Sequence, residues 1–210
     1  MKDILFNKNY ICVAVSKTKP TEDILKIYNL GHKDFGENKV QELEIKHSIL
    51  PKDINWHMIG HLQTNKVKKI VPFISLIHSV DSIKLLKVIN KESKKINKIT
   101  KCLIQVNISN EENKYGFKFS DLNFLNSDFL NDYKNIELIG LMGMASYSSN
   151  KLNIQKEFNS LNDKYMNLKN DLSSFSILSM GMSNDYELAL SEGSNMIRVG
   201  SKIFGERNYH

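Results

Sequence analysis

A lysine follows an apolar, strand-like run near the start of the chain. Residues 11–15 are apolar, and Lys17 lies in phase with Val13 and Val15. Side chains two residues apart on a strand share a face, so the Lys17 amine is predicted to lie partly out of water. Burial lowers the pKa of an amine, and a neutral amine can attack a carbonyl carbon to form a Schiff base. Lys17 is therefore the candidate nucleophile; the alternative is a strand-end lysine that extends to solvent.

Eight apolar runs of strand length alternate with helix-like segments along the chain. The predicted strands are residues 11–16, 34–36, 56–59, 76–79, 102–106, 136–142, 177–179 and 196–199. The predicted helices are residues 20–30, 39–49, 65–71, 82–96, 121–130, 152–172, 183–190 and 201–204. Parallel strands need crossover connections, and eight of them close a sheet without edges. The pattern predicts an α/β fold, a single (β/α)8 TIM barrel spanning residues 1–210, with a doubly wound open sheet as the alternative.

The composition favours one globular domain. Of the 210 residues, 41% are hydrophobic, enough for one well-filled core. No stretch has the apolar length of a membrane span, and residues 1–9 lack the pattern of a secretory signal. Cys12 and Cys102 lie singly in strand-like runs, which predicts two core thiols and neither a disulfide framework nor a zinc knuckle. These features predict a soluble, cytoplasmic protein with no membrane partner.

The formal net charge of +6 arises from many lysines and few arginines, and it gives only weak support for a polyanionic partner. An RNA-binding alternative rests on Lys66, Lys68, Lys69 and the lysine-rich residues 90–101. The chain has no RNA-module motif with aromatic stacking residues, so nucleic acid is not predicted as a partner.

Two histidines have a spacing that suits metal ligands on a helix. His57 and His61 are four residues apart, but Gly60 and the apolar residues before it predict a strand and a turn. No metal site is therefore predicted. The glycines of the chain form neither a dinucleotide fingerprint nor a Walker motif.

Polar residues follow the predicted strands, at the end where barrel proteins carry their sites. Asn38 follows the second strand as Lys17 follows the first. The loops after strands seven and eight contain Ser183, Gly200 and Ser201, whose hydroxyl and backbone N–H groups suit a phosphate. Capping of a helix is the alternative role for Ser183, and it is compatible with phosphate contact.

Five blocks of sequence resemble, in order, the pyridoxal phosphate homeostasis proteins. They are VAVSKTKP (13–20), FGEN (35–38), WHMIGHLQTNK (56–66), LSMGMS (178–183) and IRVGSKIFG (197–205). The resemblance implies a barrel like the N-terminal domain of alanine racemase, with pyridoxal 5′-phosphate (PLP) bound as an internal aldimine on Lys17.

The resemblance also assigns the other cofactor-binding positions. Ser183, Gly200 and Ser201 match phosphate-binding residues, Asn38 lies in the FGEN block, and Arg198 matches the residue beside the pyridine nitrogen. An arginine cannot accept a hydrogen bond from a protonated ring nitrogen, so the cofactor is expected to remain a poor electron sink.

The function implied by the resemblance is that of a non-catalytic PLP carrier or buffer in PLP homeostasis, which affects amino-acid and keto-acid balance. No catalytic residue is assigned. The alternative is a small fold-type III PLP enzyme, an amino-acid racemase that acts through Lys17.

The resemblance implies a monomer and leaves open a transfer of PLP to PLP-dependent apoenzymes. Only ten residues precede Ile11, which predicts a reduced cover at the bottom of the barrel.

Overall fold

Eight parallel strands form a closed barrel in the computed structural model, which describes residues 1–109, 111 and 114–206. The strands are β1 (Ile11–Val15), β2 (Asp34–Glu37), β3 (Asn55–Met58), β4 (Leu76–Val80), β5 (Thr100–Val106), β6 (Ile136–Gly143), β7 (Ile177–Ser179) and β8 (Met196–Val199). They pair in sequence order, and β8 returns to β1 with Val13 opposite Arg198. The predicted (β/α)8 barrel is confirmed, and the open-sheet alternative is wrong.

At least one helix follows each strand and packs on the outside of the barrel, and one further short helix precedes the first strand. They are α1 (Lys2–Leu5), α2 (Thr21–Asn29), α3 (Val40–Ile49), α4 (Val67–Ile70), α5 (Ile83–Lys95), α6 (Ser127–Asn131), α7 (Lys151–Asp171), α8 (Tyr186–Ser191) and α9 (Ser201–Phe204). Local chemistry sets several of their ends. Ser82 accepts a hydrogen bond from the Leu85 N–H and caps α5. Gly31 follows α2 at a φ of +99°, where glycine has no steric cost.

The predicted helix 121–130 is wrong, because the structure divides it into two pieces. A 3-10 helix covers Phe119–Phe124, Leu125 is extended, and α6 then begins. Asn126 accepts a hydrogen bond from the Phe129 N–H. An asparagine that caps a new helix competes with continuation of the previous one, and the cap prevails here. The predicted helix 183–190 likewise begins only at Tyr186, because residues 183–185 form a turn.

The one-turn helix α1 lies beside β1, and the sequence pattern did not predict it. Leu5 is buried in the core. The ring of Phe6 meets His32 edge-on, with 6.0 Å between the ring centroids. Since His32 lies just before β2, this short segment covers part of the barrel bottom that was expected to have a reduced cover.

Alternation along the strands separates two apolar layers. The layer inside the barrel contains Val13, Leu76, Leu103, Ile139, Met142 and Met196. The larger layer, between strands and helices, includes Cys12, Ala14, Phe35 and Trp56. Burial raises the pKa of Cys12 to about 12. Both cysteines are buried free thiols, as predicted.

The longest helix, α7, packs on the barrel through a stripe of buried side chains. This stripe contains Ile154, Phe158, Leu161, Tyr165 and Leu168. Its other faces carry charged and amide side chains, as expected for a helix that borders solvent. Within residues 1–109, 111 and 114–206, no helix is long and apolar enough to cross a membrane.

Gly140 provides a test of the barrel's closure. Its φ is +153°, and a Cβ there would lie 1.7 Å from the carbonyl oxygen of Ile177 on β7. We expect Gly140→Ala to lower the free energy of unfolding by about 3 kcal/mol or more, because β6 and β7 must separate to admit the methyl group. The control is Gly31→Ala, where φ is +99° but nothing lies within 4 Å. Its cost should be about 1–2 kcal/mol. Urea denaturation measures both, and equal losses would contradict the prediction.

Candidate functional site

Lys17 lies in a tight turn immediately after β1. The strand ends at Val15, so the strict alternation expected through residue 17 stops two residues earlier. The Lys19 N–H donates to the Ser16 carbonyl at 3.0 Å and closes the turn. Thr18 has a φ of +64°, which costs a non-glycine residue roughly 1–2 kcal/mol. The turn thus keeps Lys17 half-buried at the C-terminal end of the strand.

The neighbouring Lys19 has a different environment. Its Nζ donates to the carbonyl oxygens of Phe204, Gly205 and Glu206 at 3.1, 3.3 and 3.1 Å. These carbonyls lie at and beyond the end of α9, where a cation is favoured. Lys19 therefore ties the turn after β1 to the chain after β8.

Arg198 lies on β8 next to β1, and its side chain is buried. Its Nη1 donates to the carbonyl of Ser179 at 2.9 Å and to the Ser179 hydroxyl at 2.5 Å. Its Nη2 donates to the Gly143 carbonyl at 2.8 Å. Burial lowers the pKa of Arg198 to about 10, opposed by the charge of Asp185. The guanidinium is therefore still a cation at neutral pH.

A chain of hydrogen bonds crosses the barrel from Arg198 to Asp34. The Ser179 Oγ lies 3.2 Å from the Nδ1 of His78. The Nε2 of His78 lies 2.9 Å from the Nδ1 of His57. The Nε2 of His57 lies 3.2 Å from the Oδ1 of Asp34.

The groups at the two ends of this chain of hydrogen bonds have fixed roles. The Arg198 guanidinium only donates, so Ser179 accepts from it, and the Asp34 carboxylate accepts from the Nε2–H of His57. Between them, the Ser179 hydroxyl has both its hydrogen and a second lone pair to offer to the Nδ1 of His78. Burial holds the pKa of His78 well below its ordinary value, with the charges of His57 and Arg198 acting in the same direction. The neutral form of the His78 imidazole is thus favoured.

Ser183 and Gly200 meet where the loops after β7 and β8 approach each other. The Ser183 Oγ accepts a hydrogen bond from the Gly200 N–H at 3.1 Å, which leaves the hydroxyl hydrogen for another acceptor. A Cβ on Gly200 would lie 3.3 Å from the carbonyl oxygen of Val15, so this loop is close to the end of β1. Ser201 is exposed and begins α9. Ser183 does not cap α8, which begins three residues later.

Asn38 lies on the side of the mouth that faces β3. A Cβ on Gly60 would lie 2.4 Å from the Asn38 carbonyl oxygen, so the loops after β2 and β3 are in close contact. Asn38 also lines a cavity of about 210 Å³, together with Lys39, Val40, Gln41, His61, Gln63 and Lys66. The residues around Asn38 therefore come from its own loop and from the loop after β3, and Ser183 is not among them.

The two histidines with metal-ligand spacing have separate partners. His57 belongs to the buried chain, whereas the exposed His61 bonds Asp81 at 2.7 Å and stacks on Tyr115. Across the part of the chain that the structure describes, no group of three His, Cys, Asp or Glu residues could hold a metal ion.

Two of the surface lysines considered for RNA binding form ion pairs with glutamates. Lys69 pairs with Glu44 at 3.0 Å, and Lys95 pairs with Glu92 at 2.7 Å. These pairs reduce the positive potential that a polyanion would require.

The groups at the mouth of the barrel suit an aldehyde that carries a phosphate. Lys17 supplies an amine, and the Ser183 hydroxyl retains a hydrogen to donate to an anion. The buried Arg198 adds a cation whose three acceptors are all uncharged. Since β1 and β8 are adjacent, the amine and the guanidinium come from neighbouring strands, and Ser183 comes from the loop after β7. The residues present therefore fit PLP.

Sequence reasoning missed Ser179, His57 and His78 as parts of the site. Each is a polar residue in a strand, and the structure buries all three. Polar side chains at inward-facing strand positions were the available signal. The contacts among them depend on which strands face each other across the barrel, and this follows only from the closed fold.

A family model described as "Alanine racemase, N-terminal domain" matches residues 2–208. A pyridoxal phosphate homeostasis protein of Schizosaccharomyces pombe is 40% identical over 203 residues, covering 95% of this chain and 85% of the relative. Another, from Aquifex aeolicus, is 39% identical over 199 residues, covering 94% and 87%.

Solved structures of similar proteins indicate the same family and the same fold. PipY of Synechococcus elongatus without PLP has a TM-score of 0.88 at 34% identity, covering 94% of this chain and 93% of its own. PipY with PLP bound has a TM-score of 0.85 at 32% identity, covering 95% and 94%. An alanine racemase of Clostridium difficile shares the fold, with a TM-score of 0.74 at 14% identity, and this chain covers 57% of it. The chain therefore belongs to the pyridoxal phosphate homeostasis proteins, whose barrel is similar to the N-terminal domain of alanine racemase.

Proposed function

We propose that this protein binds PLP at the C-terminal mouth of its barrel and acts as a carrier or buffer in PLP homeostasis. Lys17 holds the cofactor through a covalent bond between its Nζ and the aldehyde carbon. Ser183, Gly200 and Ser201 bind the phosphate, Arg198 lies beside the pyridine nitrogen, and Asn38 lines the opposite side. The relatives named for PLP homeostasis and the PLP-bound PipY support this proposal.

One observation carries the proposal, namely the buried Arg198 beside the strand that leads to Lys17. Its position opposite Val13 places a fixed cation in the barrel wall below the Lys17 turn. This cation and the Ser183 hydroxyl favour an anionic ligand, and Lys17 provides an amine for an aldehyde. A phosphorylated aldehyde satisfies both requirements.

Arg198 also supports a carrier over an enzyme. PLP stabilises carbanions best when its pyridine nitrogen is protonated and a partner accepts that proton's hydrogen bond. Arg198 can only donate, and three of its hydrogen bonds go to Ser179 and Gly143. The ring nitrogen therefore stays unprotonated, and α-proton chemistry is weak.

We further propose that the protein is a monomer and lies in the cytoplasm. There it releases PLP to PLP-dependent apoenzymes and thereby affects amino-acid and keto-acid balance. The two buried free thiols are compatible with a reducing compartment. Amino-acid racemisation through Lys17 is the rival function, and the third experiment below separates the two.

The first test identifies the lysine that binds PLP. Borohydride reduction of PLP-saturated protein should fix the cofactor on Lys17 alone, as read by peptide mapping. The control variant Lys19→Met should be labelled normally, because the Lys19 Nζ is occupied by three carbonyls near α9. Label found mainly on Lys19, or none on Lys17, would refute the assignment.

The second test concerns the phosphate. We expect Ser183→Ala combined with Ser201→Ala to weaken PLP retention by roughly 1.5–3 kcal/mol for each lost hydrogen bond to the charged phosphate. The control is Ser191→Ala, whose hydroxyl donates only to the Leu188 carbonyl on α8. Equilibrium dialysis measures retention. A double variant that retains PLP like the control would place the phosphate elsewhere.

The third test asks whether the protein is a carrier or a racemase. Wild-type protein should exchange the α-proton of alanine with heavy water only slowly, because Arg198 keeps the ring nitrogen unprotonated. Arg198→Gln introduces an acceptor, so exchange should become faster at saturating PLP. Proton NMR follows the exchange. Rapid wild-type exchange with full racemisation, abolished in the variant, would establish the racemase instead.

A further inference from the structure

Three ionisable side chains meet behind the turn that carries Lys17. The Nζ of Lys46 on α3 donates to the Oε1 of Glu37 and to the Oε1 of Glu42, each at 2.7 Å. It also donates to the Ser16 carbonyl at 2.7 Å. The side chains of Lys46 and Glu37 are only 6% and 0% exposed. Lysine and glutamate are rarely buried to this extent unless they are paired.

The same cluster holds the residues on both sides of Lys17. The Ser16 hydroxyl donates to the Oε1 of Glu37 at 2.6 Å. The Thr18 backbone N–H donates to the Oε1 of Glu42 at 2.6 Å. Lys17 thus lies between two residues, Ser16 and Thr18, that are both hydrogen-bonded to this cluster of charged side chains.

The cluster lies on the outer side of the barrel wall. Ser16 is in phase with Ala14, and Glu37 with Phe35, and both apolar residues belong to the layer between strands and helices. The contacts that hold the turn therefore come from the side away from the barrel mouth, where they leave room for a ligand.

Stability alone does not account for a buried pair of this kind. Charges taken out of water lose hydration, and an apolar pair of similar size is often at least as stable. Burial raises the pKa of Glu37, while Lys46 and the Ser16 hydroxyl oppose this increase. What a charged cluster does provide is directional hydrogen bonding, and here it is directed at the Ser16 carbonyl and hydroxyl and the Thr18 N–H.

We propose that Glu37, Glu42 and Lys46 form a brace that fixes residues 16–18 and so positions the Lys17 amine to bond the aldehyde of PLP. The inference rests on the proposed role of Lys17. In that bond the Nζ joins the aldehyde carbon, and the aldehyde oxygen leaves as water with two hydrogens from the ammonium, so no oxidant is needed. The brace residues are positioning residues and do not touch the cofactor.

The sharpest variant is Glu42→Ala, which removes the acceptor of the Thr18 N–H while leaving the Lys46–Glu37 pair in place. The side chain of Glu42 is 24% exposed, so its loss does not empty a buried site. The matched control is Glu44→Ala on the same helix, which also breaks an ion pair, with Lys69. Glu42→Gln keeps an oxygen for the Thr18 N–H and should restore most of the function.

The readout compares PLP with pyridoxamine 5′-phosphate, which has the same ring and phosphate but no aldehyde. Glu42→Ala should bind pyridoxamine 5′-phosphate like wild type and form the covalent bond to PLP at least about tenfold more slowly, as expected for a misplaced reacting group. Absorbance follows bond formation, and dialysis gives both affinities. In cofactor-free protein, the acetic anhydride reactivity of Lys17 relative to Lys19 should also change.

Each outcome decides the inference. Bond formation at the same rate in Glu42→Ala and Glu44→Ala would overturn it, as would an equal loss of affinity for both ligands. If wild-type protein carries no PLP on Lys17, the proposed function fails, and the acetic anhydride reactivity still decides whether the brace positions this amine.

A second variant, Lys46→Met with Glu37→Met, replaces the buried pair by apolar side chains that can pack. It should fold and show the same selective loss for PLP.

Discussion

The site depends on one constraint, a buried guanidinium that can donate hydrogen bonds but cannot accept them. Arg198 imposes this property on everything that it contacts. Ser179 has to accept from it, and the Ser179 hydroxyl is in turn hydrogen-bonded to His78. His78 and His57 continue these contacts to the carboxylate of Asp34. One residue on β8 thus orders polar groups across the whole interior of the barrel.

The two faces of the barrel wall have different tasks at the Lys17 turn. On the inner face, the adjacent β8 supplies Arg198. On the outer face, Lys46 and Glu37 hold Ser16 from the layer beneath α3. The strained φ of Thr18 persists because its N–H is held by Glu42 as well. A flexible lysine side chain therefore starts from a backbone that is fixed on both sides.

The fold could be predicted from the sequence because its signals are local. Apolar runs such as Ile136–Gly143 and caps such as Ser82 depend on neighbours a few residues away. Lys17 could be predicted as a candidate because it comes two residues after the end of a strand. The series of hydrogen bonds from Arg198 to His57 could not be predicted, since Ser179 and His78 are 101 residues apart and meet only when the sheet closes. Glu37 and Lys46 were missed because each alone is typical of a solvent-exposed face.

Arg198 is buried with uncharged groups as its hydrogen-bond acceptors. A carboxylate partner would have stabilised the guanidinium but would also have cancelled its charge. The acceptors here are two backbone carbonyls and a hydroxyl, which satisfy the donors and leave the charge in place. Burial in turn reduces screening by water and salt, so the field of this cation extends further than that of a surface arginine. Asp185 supplies the opposing charge that acts on this guanidinium, and the proposed binding of a phosphorylated ligand would add a second one.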